Sequence, residues 1–289
     1  MDYGEMLAEH VNVQADFTVA CLKVRTADAA GQLGVMEADS SGRVFSFMEK
    51  PEQPKPLADD PTKALASMGI YIVAFDYLAR RLREDAEDET SSHDFGRDVI
   101  PKVLADGDHL QAHQFVNPHA GRSPYWRDVG TLDAYYQAHL ELISAEPPLD
   151  LYDLSWPTLT YQQQLPPAHF VDGAEIQGIE GSMVSGGCVV TGSRLRNSIL
   201  FSNVKVHTDC ELDGVLALPG CEIGRGSRLK NVILDNQCQV PEGLVIGEDP
   251  ALDAERYVIT EDGIVVVNRR LLGQADRYIP GVVMQNPND

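Results

Sequence analysis

A carboxylate and an ammonium stand side by side at Glu49-Lys50, where the apolar run Val44–Met48 ends and Pro51 follows. A carboxylate accepts hydrogen bonds from sugar hydroxyls and an ammonium meets a phosphate, so this corner suits a sugar phosphate. Pro51 predicts an extended Lys50, and adjacent extended residues point to opposite sides. The plain alternative is a surface ion pair beside a turn proline. Further along, in Tyr125-Trp126-Arg127-Asp128-Val129-Gly130-Thr131, Trp126 offers a flat apolar face for a sugar ring. Asp128 offers a hard oxygen ligand for Mg²⁺. The alternative there is an aromatic at a helix entrance, with Asp128 bonded to nearby backbone N–H groups. Ser67, Gly69 and Tyr71 in ASMGIY alternate along a strand, which puts two hydroxyls on one side, although strand residues of any kind would do the same. Asp94 in SSHDFG is either a hydroxyl acceptor or a helix cap. No nucleophile is placed beside His93, which receives no catalytic role.

The elements around these residues alternate in the α/β manner. Residues 3–14 read as a helix with Met6, Leu7 and Val11 on its packed side, and residues 16–24 as an apolar strand. Residues 44–48 and 66–75 read as further strands. A helix starts at Tyr77 and gives way after Arg83 to an acidic, solvated loop. Ser92 or Asp94 caps the next helix, which Pro101 interrupts or kinks. Thr131 is placed as the N-cap of LDAYYQAHLELI, whose Leu132, Tyr136, Leu140 and Ile143 share a face.

Residues 146–172 are rich in proline and lack periodicity, so they read as an extended linker. Beyond them Leu200, Val206, Leu212 and Leu218 are evenly spaced, as are Leu234, Val240 and Ile246, with Val184 and Val190 as an earlier pair. Aliphatic spacing of this kind is the signature of a parallel β-helix of hexapeptide turns, with slips in register between runs. Coils that stack only on their neighbours usually need a cap or a partner chain, which points to a homo-oligomer. The expected organisation is therefore residues 1–145, a linker over 146–172, and a repeat domain over 173–289.

Composition narrows the function classes. A chain of 289 residues is long enough for two cores, and its net charge of −21 opposes general nucleic-acid binding. No apolar run approaches a membrane span and MDYGEMLAEH lacks a signal-peptide pattern, so a soluble cytoplasmic protein is expected. Cys21, Cys188, Cys210, Cys221 and Cys238 include no C-x-x-C pair and read as reduced, buried thiols, with neither zinc nor disulfides.

FMEKP, ASMGIY, SSHDFG, YWRDVGT, LPPAHF, SGGCVVTGS and VPEGLVIGED occur in this order along essentially the whole chain. In this the sequence resembles the bacterial glucose-1-phosphate adenylyltransferases. FxEKP alone is shared among sugar nucleotidyltransferases, whereas its combination with SSHDFG, YWRDVGT and the repeats is specific. The resemblance implies an α/β fold: a Rossmann-like nucleotidyltransferase domain, here incomplete, followed by a left-handed parallel β-helix. It also implies Mg²⁺-dependent synthesis of ADP-glucose and pyrophosphate from ATP and glucose 1-phosphate in glycogen biosynthesis, by a homo-oligomer that is tetrameric in the family. Gly34, Glu49, Lys50 and Ser67 match glucose-1-phosphate contacts, and Tyr71, Asp94 and Trp126 match further positions of that pocket. Asp128 matches one of two metal-binding aspartates. Arg269 in VVVNRR matches an effector-binding arginine, while other basic positions are replaced, for example by Asn236 and Gly273, so the resemblance carries the effector site only in part.

The family's Gly-rich loop GGxGxRL, which cradles the ATP phosphates, and its Gly-Asp-His with the second metal aspartate have no counterpart in this sequence. Gly224-Arg225-Gly226-Ser227 lies among the repeats and reads as a coil turn. By motif order the chain is expected to start just after Gly-Asp-His. Nucleotidyl transfer works through phosphate positioning and charge neutralisation, so no turnover by the isolated chain is expected. A sheet lacking its first strands is also expected to expose apolar surface and an unpaired edge. Two other classes fit parts of the pattern: a non-catalytic regulatory subunit that binds sugar phosphate and a full-length partner, and a hexapeptide acyltransferase using a coil histidine such as His207.

Overall fold

A computed structural model describes residues 1–117, 124–171 and 178–275. The chain forms two compact units, Met1–Trp126 and Arg127–Asp289.

In the first unit Asp2 caps helix α1 (Tyr3–Asn12) by accepting from the Gly4 amide at 2.7 Å. Strand β1 (Phe17–Arg25) is followed by the short helix α2 (Thr26–Ala29), β2 (Val35–Ala38), β3 (Val44–Met48) and β4 (Lys63–Val73). Helix α3 (Phe75–Ala86), α4 (Ile100–Ala105) and β5 (Leu110–Gln114) complete it. The sheet order is β3-β2-β4-β1-β5. β1 pairs with β5 in parallel, whereas β1–β4, β2–β4 and β2–β3 are antiparallel. Alternating elements suggest parallel pairing, but β2 and β3 are joined by a short turn, too short for the crossover that parallel strands require. β1 lies between two partners and is buried from Phe17 to Leu22. On α1 the packed residues are Met6 and His10, while Leu7 and Val11 stay exposed, which corrects the expected face. His10 turns inward because its Nδ1 lies 2.8 Å from the Thr18 hydroxyl. Helix α3 runs three residues past Arg83, into what the sequence suggests is acidic loop. The nearly buried Arg81 on α3 pairs with Asp106 and Asp108, fixing the helix to the α4–β5 connection.

The second unit begins with α5 (Leu132–Leu142), capped as expected by the Thr131 hydroxyl, which accepts from the Ala134 amide at 3.1 Å. The expected domain limit at residue 145 falls just after α5, and α5 itself packs on the repeats. Tyr136 is buried against Ile199, Leu216, Ile233 and Ile264, and its hydroxyl donates to the Gly214 carbonyl at 2.7 Å. The expected linker limit at 172 lies outside the described residues, and pairing with the repeats already includes His169–Val171.

The repeats form a parallel β-solenoid. Leu195, Leu212, Leu229 and Ile246 stack in one buried column, as do Val206, Ile223 and Val240, and Leu200, Ala217 and Leu234. Stacked residues in the central coils are therefore seventeen apart, one short of three hexapeptides. That missing residue explains the slips: the residue stacked on Leu200 is Ala217, and Leu218, which six-residue spacing from Leu212 would select, is left half-buried. The corners repeat at the same interval as left-handed residues, for example Asn203, Gly220 and Gln237. All five cysteines are buried, and Cys188, Cys210, Cys221 and Cys238 face the solenoid core. The short helix Pro250–Arg256 and the antiparallel pair Val258–Ile259 and Val265–Val267 follow the last coils.

Candidate functional site

Five of the residues singled out in the sequence, Gly34, Lys50, Ser67, Tyr71 and Asp94, lie in the first unit around the Glu49 carboxylate. β3 ends at Met48, and the Glu49 side chain lies in a slot floored by two glycines. A Cβ at Gly34 would stand 2.7 Å from the Phe47 ring and 2.9 Å from Glu49 Oε2. A Cβ at Gly96 would stand 2.7 Å from Glu49 Cδ. A Cβ at either glycine would therefore force Glu49, or at Gly34 also the Phe47 ring, to shift, and neither glycine has a positive φ that a turn would explain. Gly34 is among the contacts expected from the resemblance; Gly96 is not, although it lies in SSHDFG beside Asp94.

Lys50 corrects one expectation. Its φ is +46°, so it is left-handed rather than extended as the following proline suggests. The reversal lets the chain turn at the strand end while Glu49 stays in the glycine slot, with the Lys50 side chain exposed beside it. An uncommon backbone at a chemistry-bearing corner is the kind of local cost that tertiary packing sustains.

Ser67 and Tyr71 also come together by a route that strand alternation does not give. Four residues of regular strand span about 13 Å. Here Cys21 pairs with Ser67 and Val19 with Tyr71, so β4 bulges at this point, and Gly69 sits in the bulge at φ +67°. Ser67 accepts from the Gly69 amide at 3.1 Å, and the bulge brings its side chain toward Tyr71, which a straight strand would hold out of reach. Gly69 in the middle of an apolar strand is the signal for this bulge.

Asp94 is both a cap and an acceptor. Its Oδ1 accepts from the Gly96 and Arg97 amides at 2.8 and 2.9 Å, opening a π-helical turn over Phe95–Val99 that passes into α4 at Pro101. Among the described residues no donor reaches Oδ2, which stays available to a ligand. Phe95 stacks on Tyr71 at a 5.4 Å centroid distance, holding the motif against β4.

The electrostatics follow from this packing. Burial, and next the charge of Asp94, push the Glu49 carboxyl above its usual range, against the opposing pull of Lys50 and Arg97. Burial likewise raises the Tyr71 phenol. Two hydroxyls, two carboxylates and flanking cations thus line one place, where a neutral polyol can be held by its hydroxyls and an anion by Lys50 and Arg97.

Trp126 closes the first unit and is partly buried; Asp128 opens the second and is exposed. Asp128 Oδ1 accepts from the Gly130 amide at 3.0 Å. Among the described residues no group of three His, Cys, Asp or Glu side chains converges. One outward carboxylate fits Mg²⁺ as a partial ligand, because this ion is ordinarily held by one or two carboxylates with substrate phosphates and water completing its shell. Arg269 is engaged in the solenoid, donating to the Gln237 carbonyl at 2.5 Å and to the Ala275 carbonyl at 2.6 and 3.0 Å. His207 pairs with Glu222 at 2.8 Å on an exposed coil face.

Residues 1–145 match the nucleotidyl transferase family, and residues 166–267 match the GlmU-like C-terminal hexapeptide family. The chain belongs to the nucleotidyl transferase family. It is 46% identical over 285 residues to the glucose-1-phosphate adenylyltransferase of Nitrosomonas europaea, covering 96% of this chain and 65% of that protein. The enzymes of the same name from Paraburkholderia phytofirmans and Teredinibacter turnerae are 46% and 45% identical, each over 95% of this chain and 66% of their own length. The chain thus spans just under two thirds of these relatives.

Proposed function

We propose that this chain binds glucose 1-phosphate and provides the sugar-phosphate side of a glucose-1-phosphate adenylyltransferase. The observation that carries this reading is the Glu49 carboxylate seated between Gly34 and Gly96, beside Asp94, Ser67 and Tyr71 and flanked by Lys50. Glu49 and Asp94 accept from sugar hydroxyls; Ser67 and Tyr71 orient the ring; Lys50 neutralises phosphate charge; Trp126 offers a ring-sized apolar face. Asp128 would contribute a carboxylate to Mg²⁺, an ion that neutralises phosphate charge during nucleotidyl transfer. ATP is the co-substrate of the whole reaction. The sequence has no Gly-rich triphosphate cradle, so the isolated chain is expected to bind the sugar phosphate without forming ADP-glucose.

Calorimetric titration with glucose 1-phosphate, glucose and glucose 6-phosphate tests the binding. Preference for the 1-phosphate supports the reading; indifference among the three overturns it. Assay of the purified chain with ATP, Mg²⁺ and glucose 1-phosphate tests the second part, which detectable ADP-glucose would overturn. The same pocket also suits a regulatory subunit that binds sugar phosphate and modulates a full-length partner. Co-purification with such a partner separates the two readings.

A homo-oligomer, tetrameric as in the resemblance, is part of this proposal, as are a cytoplasmic setting and an effector role for Arg269. For that role an anionic effector must replace the carbonyls of Gln237 and Ala275 around the guanidinium. Among the described residues no helix is long and apolar enough to cross a membrane. The acyltransferase reading has no comparable support: His207 is paired with Glu222, and it leaves the Glu49 slot without a purpose.

A further inference from the structure

One buried carboxylate outside the pocket is organised entirely toward it. Asp85, on the last turn of α3, is 8% exposed and faces the loop that leads into Asp94. Its Oδ1 accepts from the Ser91 hydroxyl at 2.6 Å and its Oδ2 pairs with His93 Nδ1 at 2.9 Å. An ionised carboxylate can only accept, so Nδ1 carries the proton in this pair. The same Ser91 hydroxyl accepts from the His93 amide at 3.0 Å, closing a tight turn in which His93 has φ +59°.

The alternate residues of this loop are held by a second carboxylate. Asp98 Oδ2 accepts from the Ser92 hydroxyl at 2.6 Å and from the Asp94 amide at 3.0 Å. Ser91 and His93 are thus tied to Asp85, and Ser92 and Asp94 to Asp98. The Asp98 bonds lie within the loop and the turn that follows it, whereas Asp85 ties the loop to a separate helix. Immediately beyond, Phe95 stacks on Tyr71 and Gly96 closes the Glu49 slot. The approach to the slot therefore has one anchor at Tyr71 and another at Asp85.

We propose that Asp85 is a positioning residue for the sugar pocket: by holding Ser91 and His93 it fixes the left-handed turn that aims Asp94 and presses Gly96 against Glu49. A general-base role for His93 is not needed to explain its geometry, because its Nδ1 is occupied in fixing the loop. The inference rests on the reading of this pocket as a sugar-phosphate site. It differs from simple stabilisation in predicting an effect on Gly96 and Arg97, two residues that Asp85 does not touch.

The test compares the full chain with Asp85→Asn by titration with glucose 1-phosphate and by amide NMR. Asparagine keeps the shape, but its neutral amide weakens both bonds. Affinity is expected to fall about tenfold, in line with loss of charge-assisted hydrogen bonding. The Gly96 and Arg97 amide resonances are expected to move as their bonds to Asp94 loosen, while amides of β1 stay in place. Unchanged affinity and unchanged Gly96 and Arg97 resonances overturn the proposal, even if the melting temperature drops. Should Asp85→Asn fail to fold, Ser91→Ala removes a single hydroxyl and is expected to shift the same two amides; no shift there overturns the proposal as well. If the unmodified chain binds no glucose 1-phosphate, the sugar-phosphate reading fails, while the two amides still decide whether Asp85 sets the turn.

Discussion

The two units obtain order from opposite sources. In the solenoid each buried column is one position repeated every coil, so Leu195, Leu212, Leu229 and Ile246 do the same task in succession. In the first unit no position repeats, and the chemistry depends on residues from separate stretches: Gly34, Glu49, Ser67, Tyr71, Asp94 and Gly96. A repeated architecture distributes its stability over nearest-neighbour interfaces, whereas a convergent pocket concentrates its function in a few close contacts. The first tolerates irregular surface residues between its columns; in the second even a methyl group at Gly34 would force the Phe47 ring or Glu49 to shift.

The largest expected effect breaks the solenoid. Leu212→Asp puts a carboxylate in a fully packed column and is expected to cost about 4–5 kcal/mol, enough to abolish cooperative melting of the coils by circular dichroism. An unchanged melting curve would show that the column is not the source of that unit's stability. Glu49→Gln acts on function instead. It keeps the shape in the glycine slot but removes the charged acceptor, so glucose-1-phosphate affinity should drop by about 1.5–3 kcal/mol while the chain stays folded. Affinity equal to that of the unmodified chain would remove Glu49 from the pocket.

Tyr136→Phe gives a smaller, purely structural effect. The Gly214 carbonyl loses a buried donor, and destabilisation of about 1 kcal/mol is expected in urea, with sugar-phosphate binding unaltered. A change in binding with no change in stability would contradict the assignment of α5 to the solenoid's packing.

The smallest effect is one of pH. Because the folded Glu49 carboxyl is raised, the folded state holds its proton more tightly than the unfolded state. Its contribution to stability is therefore most favourable below the ordinary carboxylate range and declines as pH rises through the folded value. Binding runs the other way, since the ionised form is the acceptor: affinity falls on acidification at a higher pH than for an unperturbed glutamate. Titrations of both stability and affinity should lose this component in Glu49→Gln; persistence of either would place its source elsewhere.

Periodicity and local chemistry were legible before the fold. The evenly spaced aliphatics identify the solenoid, and Thr131 and Asp94 are visible as caps because capping depends on residues a few positions away. The coil length of seventeen was also present in the recurring Asn, Gly and Asp corners, but six-residue spacing within a coil is the stronger local pattern and hid it. The site motifs were visible as residue types, while their geometry was misjudged wherever long-range packing overrode a local preference. Lys50 is left-handed despite Pro51, and Ser67 meets Tyr71 through a bulge rather than through alternation. Gly96 and Asp85 are not legible in the sequence because their places depend on Glu49 and on the Ser91–His93 turn, contacts that side-chain type does not announce.

The sequence by itself determined the periodic unit and its buried thiols, the capped helices, and the chemical vocabulary of the pocket: carboxylates, hydroxyls and a lysine beside a proline. It did so because these follow from short-range stereochemistry and from the alternation of apolar and polar residues. Only the tertiary structure decided that α5 joins the solenoid, that two glycines form the slot for Glu49, and that Asp85 reaches the loop before Asp94. Each of these depends on which surfaces meet once the chain is compact, and a side chain's partners across such a contact are set by three-dimensional packing, not by sequence distance.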